Sequence, residues 1–154
     1  MKLLQIILLL TAPTLAFADD HEELTRLVET YTSTVATLDM ERIQPIWSTA
    51  DTTSFIHPRG HQVGWEDIRQ FFYMETMGRL AKRELTYHNL NIRLIDANSA
   101  WGDFYWDFEA TMKDGTQITS AGRETQIWQK IDGMWKIVHV HYSGMPVTGE
   151  REGF

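Results

Sequence analysis

The chain has 154 residues, 43% of them hydrophobic, with 14 basic and 21 acidic side chains and no cysteine. That length suits one compact domain, and a net charge of −7 argues against nucleic acid as a partner. The missing cysteine excludes disulfides, iron–sulfur clusters, thiolate zinc sites and cysteine nucleophiles, while six Trp, five Tyr and seven Phe must find a place to pack.

The chain opens with Lys2, an apolar run from Leu3 to Leu10, and a small-x-small end at Ala16-Phe17-Ala18. This pattern predicts an export signal over residues 1–18, cleaved after Ala18, and places the protein in a periplasm or outside the cell. Pro13 interrupts the apolar run before it reaches the roughly 20 residues of a membrane span, so no membrane association is expected after cleavage. The mature chain would open at Asp19, slightly more acidic than the whole because Lys2 leaves with the signal.

From Asp20 to about Leu38, apolar residues fall at Leu24, Leu27, Val28, Tyr31, Val35 and Leu38, the spacing of an amphipathic helix. Asp39 is placed to cap a second, short helix from Met40 to about Trp47. Thr52 to His57 reads as a strand, ended by His57-Pro58-Arg59-Gly60. Gly64 to about Met77 reads as a helix that buries Trp65, Ile68, Phe71 and Phe72.

Beyond Arg83 the pattern turns to β. Four strands are expected, at Leu85–Ile95, Ala100–Met112, Gln117–Ile131 and Met134–Tyr142. Ala97-Asn98, Asp114-Gly115 and Asp132-Gly133 provide the turns between them. Residues 19–147 thus form one α+β domain, and 148–154 a tail.

That order resembles the nuclear transport factor 2-like superfamily over about Glu22 to Val147. The most specific stretch is Glu124-Thr125-Gln126-Ile127-Trp128, followed by Ile131-Asp132-Gly133-Met134-Trp135-Lys136-Ile137-Val138-His139-Val140-His141-Tyr142-Ser143-Gly144-Met145-Pro146-Val147. It is similar to the association domain of calcium/calmodulin-dependent protein kinase II and to SnoaL-like proteins. The resemblance implies a cone, in which a curved mixed or antiparallel sheet wraps about three helices around a pocket. It also implies self-association, as a homodimer or a larger hub.

Within that superfamily, ketosteroid isomerases and polyketide cyclases place a tyrosine on the first helix and an acidic base just before a proline. Here those positions hold Tyr31 and His57, the latter followed by Pro58. The isomerases also use an acid on a later strand as an oxyanion donor, for which the nearest positions here are Thr125 and Gln126.

An imidazole can abstract a proton next to a carbonyl, and a buried tyrosine hydroxyl can stabilise the resulting oxyanion. In the plainer reading His57 only ends its strand and hydrogen-bonds the following loop. Strand alternation puts Phe104, Trp106, Phe108 and Ala110 on one face, against Asp103, Tyr105, Asp107 and Glu109 on the other.

The expected pocket is lined by Trp47, Ile68, Trp106, Phe108, Gln126 and Tyr142, and by Arg123 if register allows. A tight turn at Asp132-Gly133 groups Arg123, Thr125 and Ile127 with Val138, Val140 and Tyr142, whereas a bulge groups Glu124, Gln126 and Trp128 with them. The pocket arginines of the association domains correspond to Gln126 and Tyr142, which implies a more neutral, aromatic pocket here.

Trp135, Ile137, His139 and His141 alternate along the last strand and are expected to form the self-association face. The association domains keep this histidine pair without a metal. Pro58 and Gly60 keep His57 and His61 off a common helix, so no metal site is expected. Nor is there a Gly-rich phosphate loop, so no cofactor is expected.

Two functions remain: a homo-oligomer holding a small, largely apolar ligand, or a cofactor-independent isomerase, cyclase or hydratase using His57 and Tyr31. The enzyme requires both residues to converge on a cavity lined by Trp106 and Trp47.

Overall fold

The computed structural model describes residues 14–145, with side chains from Asp19 onward. Most of the expected signal, and all of the tail at 148–154, lie outside the described residues or outside their side chains.

Helix α1 (Thr14–Thr37) starts six residues ahead of the expected Asp20, directly after Pro13. Its inward stripe is the expected one: Leu24, Leu27, Val28, Tyr31 and Val35 are buried. Leu38, at φ +53°, turns the chain out of the helix. Asp39 then caps α2 (Met40–Ile43), its carboxylate accepting from the N–H of Glu41 at 3.1 Å and of Arg42 at 3.3 Å. Pro45 tightens the following residues into a 3₁₀ turn, Gln44–Ile46, so the expected single short helix is split in two.

Strand β1 (Ser54–His57) is the expected strand, but Pro58-Arg59 makes a tight turn into an unexpected partner, β2 (Gly60–Val63). Helix α3 (Trp65–Ile68) runs into a π-helical segment, Arg69–Met77, closed by the Gly78 N–H on the Tyr73 carbonyl at 2.9 Å. A Cβ at Gly78 would stand 2.2 Å from the Met74 carbonyl oxygen, so only glycine allows this wide turn to close. The wider winding rotates the inward face. Phe72, Tyr73 and Met77 are buried, whereas Phe71, expected inside, is only half-buried.

Strands β3 (Leu80–Leu94), β4 (Ser99–Met112), β5 (Gln117–Ile131) and β6 (Met134–Gly144) form the meander. β3 starts five residues earlier than expected and pairs with β4 along that added stretch, with register irregularities between Leu80 and Lys82 and between His88 and Asn91. The six strands form one open, curved sheet in the order β2-β1-β6-β5-β4-β3. Only the β1–β6 pair is parallel, so the sheet is mixed. α1 packs against β3 and β6.

Two polar anchors hold the helix to the sheet. The Arg83 guanidinium donates to the carbonyls of Val35 in the last turn of α1, of Met77 at the end of the π-helical segment, and of Leu80 at the start of β3. It satisfies carbonyls that a helix end leaves unpaired. At the other end, Asp20 accepts from Lys130 and from the Trp135 indole N–H. Burial pushes the Asp20 carboxyl up, but those two donors outweigh it and hold the group below its ordinary value.

Register decides which residues face α1. Asp132-Gly133 is a two-residue turn with both φ positive, at +51° and +76°, as expected for this pair. A bulge follows at Val138: Ile127 pairs with His139, but Trp128 pairs with Ile137. The turn is therefore tight and the strand is also bulged. Glu124, Gln126 and Trp128 face inward with Val140, and Arg123, Thr125 and Ile127 face out.

The same bulge separates the four residues expected to share one association face. Trp135 and Ile137 are buried in the core, while His139 and His141 lie on the outer face. One extra residue exchanges the two faces of everything beyond it.

Candidate functional site

Between α1, the π-helical segment and the concave face of the sheet lies a cavity of about 420 Å³. Tyr31 and Val35 of α1 form one wall, Phe72, Thr76 and Met77 the second, and Leu85, Trp106 and Phe108 the third. Met112, Ile118 and Ser120 line it where β4 turns into β5, and Tyr142 closes it from β6. Arg59 and Arg79 complete it. Among the described residues, Glu124 is the one acid on this wall.

A hydrogen-bonded row along β5 sets the state of that acid. Trp128 can only donate, and its Nε1–H reaches Gln126 Oε1 at 2.9 Å. This orients the Gln126 amide, whose Nε2–H donates to Glu124 Oε1 at 2.7 Å. The Tyr31 hydroxyl donates to the other carboxyl oxygen at 3.4 Å. All four residues are buried, 0 to 3% exposed. Burial pushes the Glu124 carboxyl up to about 7, with the bonds from Gln126 and Tyr31 acting in the opposite direction.

Burial and the neighbouring Glu124 charge push the Tyr31 hydroxyl well above its ordinary value, so it remains a neutral donor. Burial likewise pushes Tyr142 up to about 12. A carboxyl that titrates near neutrality beside a fixed hydroxyl donor, among aromatic rings, is able to bind a carbonyl or hydroxyl group. It is also able to exchange a proton with one.

The expected site residues divide into three groups. Tyr31, Trp106, Phe108 and Tyr142 line the cavity. Trp47, Ile68 and Gln126 are fully buried behind its wall: Trp47 donates to the Tyr73 hydroxyl at 2.9 Å, and Gln126 acts on the cavity only through Glu124. Arg123 is turned to the outer face, opposite Tyr105, and does not line this cavity.

His57 is buried but is not on the cavity wall. Its Nδ1 accepts from the Arg59 N–H at 3.2 Å, which leaves the proton on Nε2 to donate to Gln62 Oε1 at 2.5 Å. Its ring is stacked between Phe71 and Tyr142, with centroids 5.2 and 5.8 Å away. The ring thus ties the β1–β2 turn together, with both nitrogens engaged.

In the sequence Glu124 stands on one side of a register that the pattern leaves undecided. Thr125 and Gln126 are the nearest sequence positions to the isomerases' later-strand acid; the buried acid on β5 is Glu124, one residue earlier. The signal available in the sequence was Glu124-x-Gln126-x-Trp128, three hydrogen-bonding groups spaced for one strand face.

The histidines of β6 do different work. Ser54 Oγ and His139 Nδ1 are 2.6 Å apart, and burial, then His141 and His61, hold the His139 imidazole below its ordinary value. Among the described residues, no three His, Asp or Glu side chains are gathered to hold a metal ion.

Residues 20–146 match the family model described as the calcium/calmodulin dependent protein kinase II association domain. A calcium/calmodulin-dependent protein kinase type II of Caenorhabditis elegans is 22% identical over 127 residues. The match covers 82% of this chain but only 17% of that protein's length.

A solved nuclear transport factor 2-like superfamily protein from Salmonella enterica serovar Typhimurium is 37% identical, with a TM-score of 0.84 over 90% of this chain and 99% of that one. Hexachlorocyclohexane dehydrochlorinase LinA-type3 from Novosphingobium barchaimii is 17% identical, with a TM-score of 0.76 over 88% of this chain and 92% of that one. At that identity the likeness is one of fold.

Proposed function

The chain belongs to the calcium/calmodulin-dependent protein kinase II association domain family, and on that footing we propose that it is an exported, self-associating protein holding one small, largely apolar molecule in the Tyr31–Glu124 cavity. The observation that carries this reading is the cavity itself: about 420 Å³, walled by aromatic and aliphatic side chains, with a single buried hydrogen-bonding pair. Size and lining are those of small-molecule sites.

Support for self-association comes from the family and from the outer sheet face. Trp101 and Ile127 are each 38% exposed and stand in one cross-strand row with His139. That row takes over the role expected of Trp135 and Ile137. Support for export comes from the signal pattern of residues 1–18.

Native mass spectrometry of the protein recovered from its own cells tests all three parts. The expected species is a multiple of a chain beginning at Asp19, each copy carrying a small-molecule mass. Ser120 is an exposed residue of the cavity wall, and Ser120→Trp would close the cavity and remove that mass. A monomer, a chain retaining Met1, or a ligand mass that survives Ser120→Trp would each sink the corresponding part.

A second reading, an enzyme, is favoured by the near-neutral Glu124 carboxyl at hydrogen-bond range of Tyr31. In it Glu124 takes the place first given to His57. A ketone bound with its oxygen at Tyr31 would exchange its α-protons with solvent through Glu124. Wild type is expected to accelerate deuterium incorporation into a small aryl ketone by at least about a hundredfold over Glu124→Gln, read by NMR. Equal rates in the two proteins would remove this reading.

A further inference from the structure

The opening of the cavity carries charge opposite to its depth. Arg59, in the turn between β1 and β2, and Arg79, between the π-helical segment and β3, both line the cavity and are both exposed, so they stand at its mouth. Two other exposed or half-exposed arginines, Arg26 and Arg69, are paired with Glu22 and Glu66. Arg59 and Arg79 have no carboxylate partner among the described residues, as is also true of the exposed Arg42, Arg93 and Arg123, but of these five only Arg59 and Arg79 line the cavity.

Arg59 lies over the Phe71 ring, 5.6 Å from its centroid, a stacking that restrains the guanidinium near the opening. In a chain of net charge −7, two unpaired guanidinium groups on one cavity are a local reversal of sign. A third observation is independent of charge. The Thr76 hydroxyl, three residues before Arg79 and on the same cavity wall, is buried and has no hydrogen-bond partner. An unmet buried hydroxyl costs about 1–3 kcal/mol, so an acceptor arriving in the cavity would relieve it.

Taking the cavity to be a ligand site, as proposed above, we infer that its ligand is an amphipathic anion bound head outward. The anionic group sits at Arg59 and Arg79, the apolar body lies against Trp106 and Phe108, and any polar tip that reaches the depth is an uncharged one. The reverse orientation is disfavoured by Glu124, whose charge when ionised would meet the anion in a low-dielectric enclosure. Arginine suits the mouth because its planar fork can grip an oxyanion with two parallel bonds while its face rests on an aromatic ring.

Isothermal titration of the full chain with hydrocinnamate, its amide and the corresponding phenylpropylamine tests this, since the three share a body and differ in head charge. The anion is expected to bind at least about tenfold tighter than the amide, and the amine weakest of the three. Arg59→Gln combined with Arg79→Gln should bring the anion down to the affinity of the amide and leave the amide unchanged, which also controls for folding. The preference for the anion should shrink as salt is raised.

Equal affinity of acid and amide in the wild type, or a preference that survives both substitutions, would overturn the inference. If those equal affinities are abolished by Ser120→Trp, the cavity stands as the ligand site and only the anionic head is lost. If none of the three probes binds the wild type, the inference and the ligand-site reading fall together.

Discussion

Glu124→Gln is expected to stabilise the protein above pH 7 and to flatten the fall in stability that the wild type shows between about pH 4.5 and 7. The sign follows from the direction of the shift. Burial raises the folded-state value from the ordinary 4.5 to about 7, so through that window the folded protein keeps a proton that the unfolded chain has released. The contribution of this group is complete below about 4.5, is lost as the pH rises through about 7, and then levels off.

The size of the loss, for a shift from 4.5 to about 7, is on the order of 3 kcal/mol. Glutamine keeps the carbonyl that accepts from Gln126 and carries no titrating group. Urea melts of both proteins at about pH 5 and about pH 8 measure the effect, with other titrating groups cancelling in the difference. Parallel stability–pH curves would show that Glu124 titrates at its ordinary value, and would remove the basis for its proposed chemistry.

Trp128→Ala is expected to cost more than any other single truncation on β5. The indole is fully buried and rests on β4 at Gly102, where a Cβ would come within 2.4 Å of the ring. Loss of such a ring costs about 3–5 kcal/mol through lost burial and the void left behind. The change also removes the indole N–H that orients the Gln126 amide, and leaving that buried carbonyl unpaired adds about 1–3 kcal/mol.

Against a typical stability of about 5–15 kcal/mol, this brings the domain close to unfolding. Trp128→Phe separates the two contributions, since it retains most of the ring and loses the donor. Its expected cost is about 1–2 kcal/mol, together with a shift in the pH at which Glu124 titrates. Denaturant midpoints read both variants. A loss below about 1 kcal/mol for Trp128→Ala would mean the ring does not hold β5 to β4.

Legibility in the sequence followed the strength of local signals. Turn pairs bound β5 on both sides and predict Gln117–Ile131, and the observed strand has those limits. The inward stripe of α1, with Tyr31 on it, followed from helical spacing alone. The β1–β2 hairpin is not legible in the sequence because a proline after a short strand looks like an end, although Pro58-Arg59 is also a good turn. The π-helical winding left no local mark beyond Gly78, since it depends on the Tyr73 and Met74 carbonyls meeting a residue without a side chain.

The site was legible only in part, for one physical reason. Period-two alternation establishes which residues share a strand face, but not which of the two faces is turned inward. On β4 the aromatic face decides by itself, and Trp106 and Phe108 line the cavity as the pattern requires. On β5 both faces mix polar and apolar groups, and it is the pairing with β4, Phe104 opposite Glu124 and Trp106 opposite Gly122, that turns Glu124 inward and Arg123 out. The bulge at Val138 then decides what joins that face from β6: Val140 opposite Gln126 and Tyr142 opposite Glu124, in place of His139 and His141.

The amino-acid order by itself determined the α+β plan, the helix stripe that carries Tyr31, the hairpin turns and the aromatic wall. Tertiary structure alone decided that Glu124 rather than Arg123 enters the cavity, that His57 spends both nitrogens on its own turn, and that Arg59 and Arg79 line the same cavity. Those outcomes depend on burial and on contacts between residues far apart in the chain, and a proton affinity raised to about 7 exists only once the surrounding water has been removed.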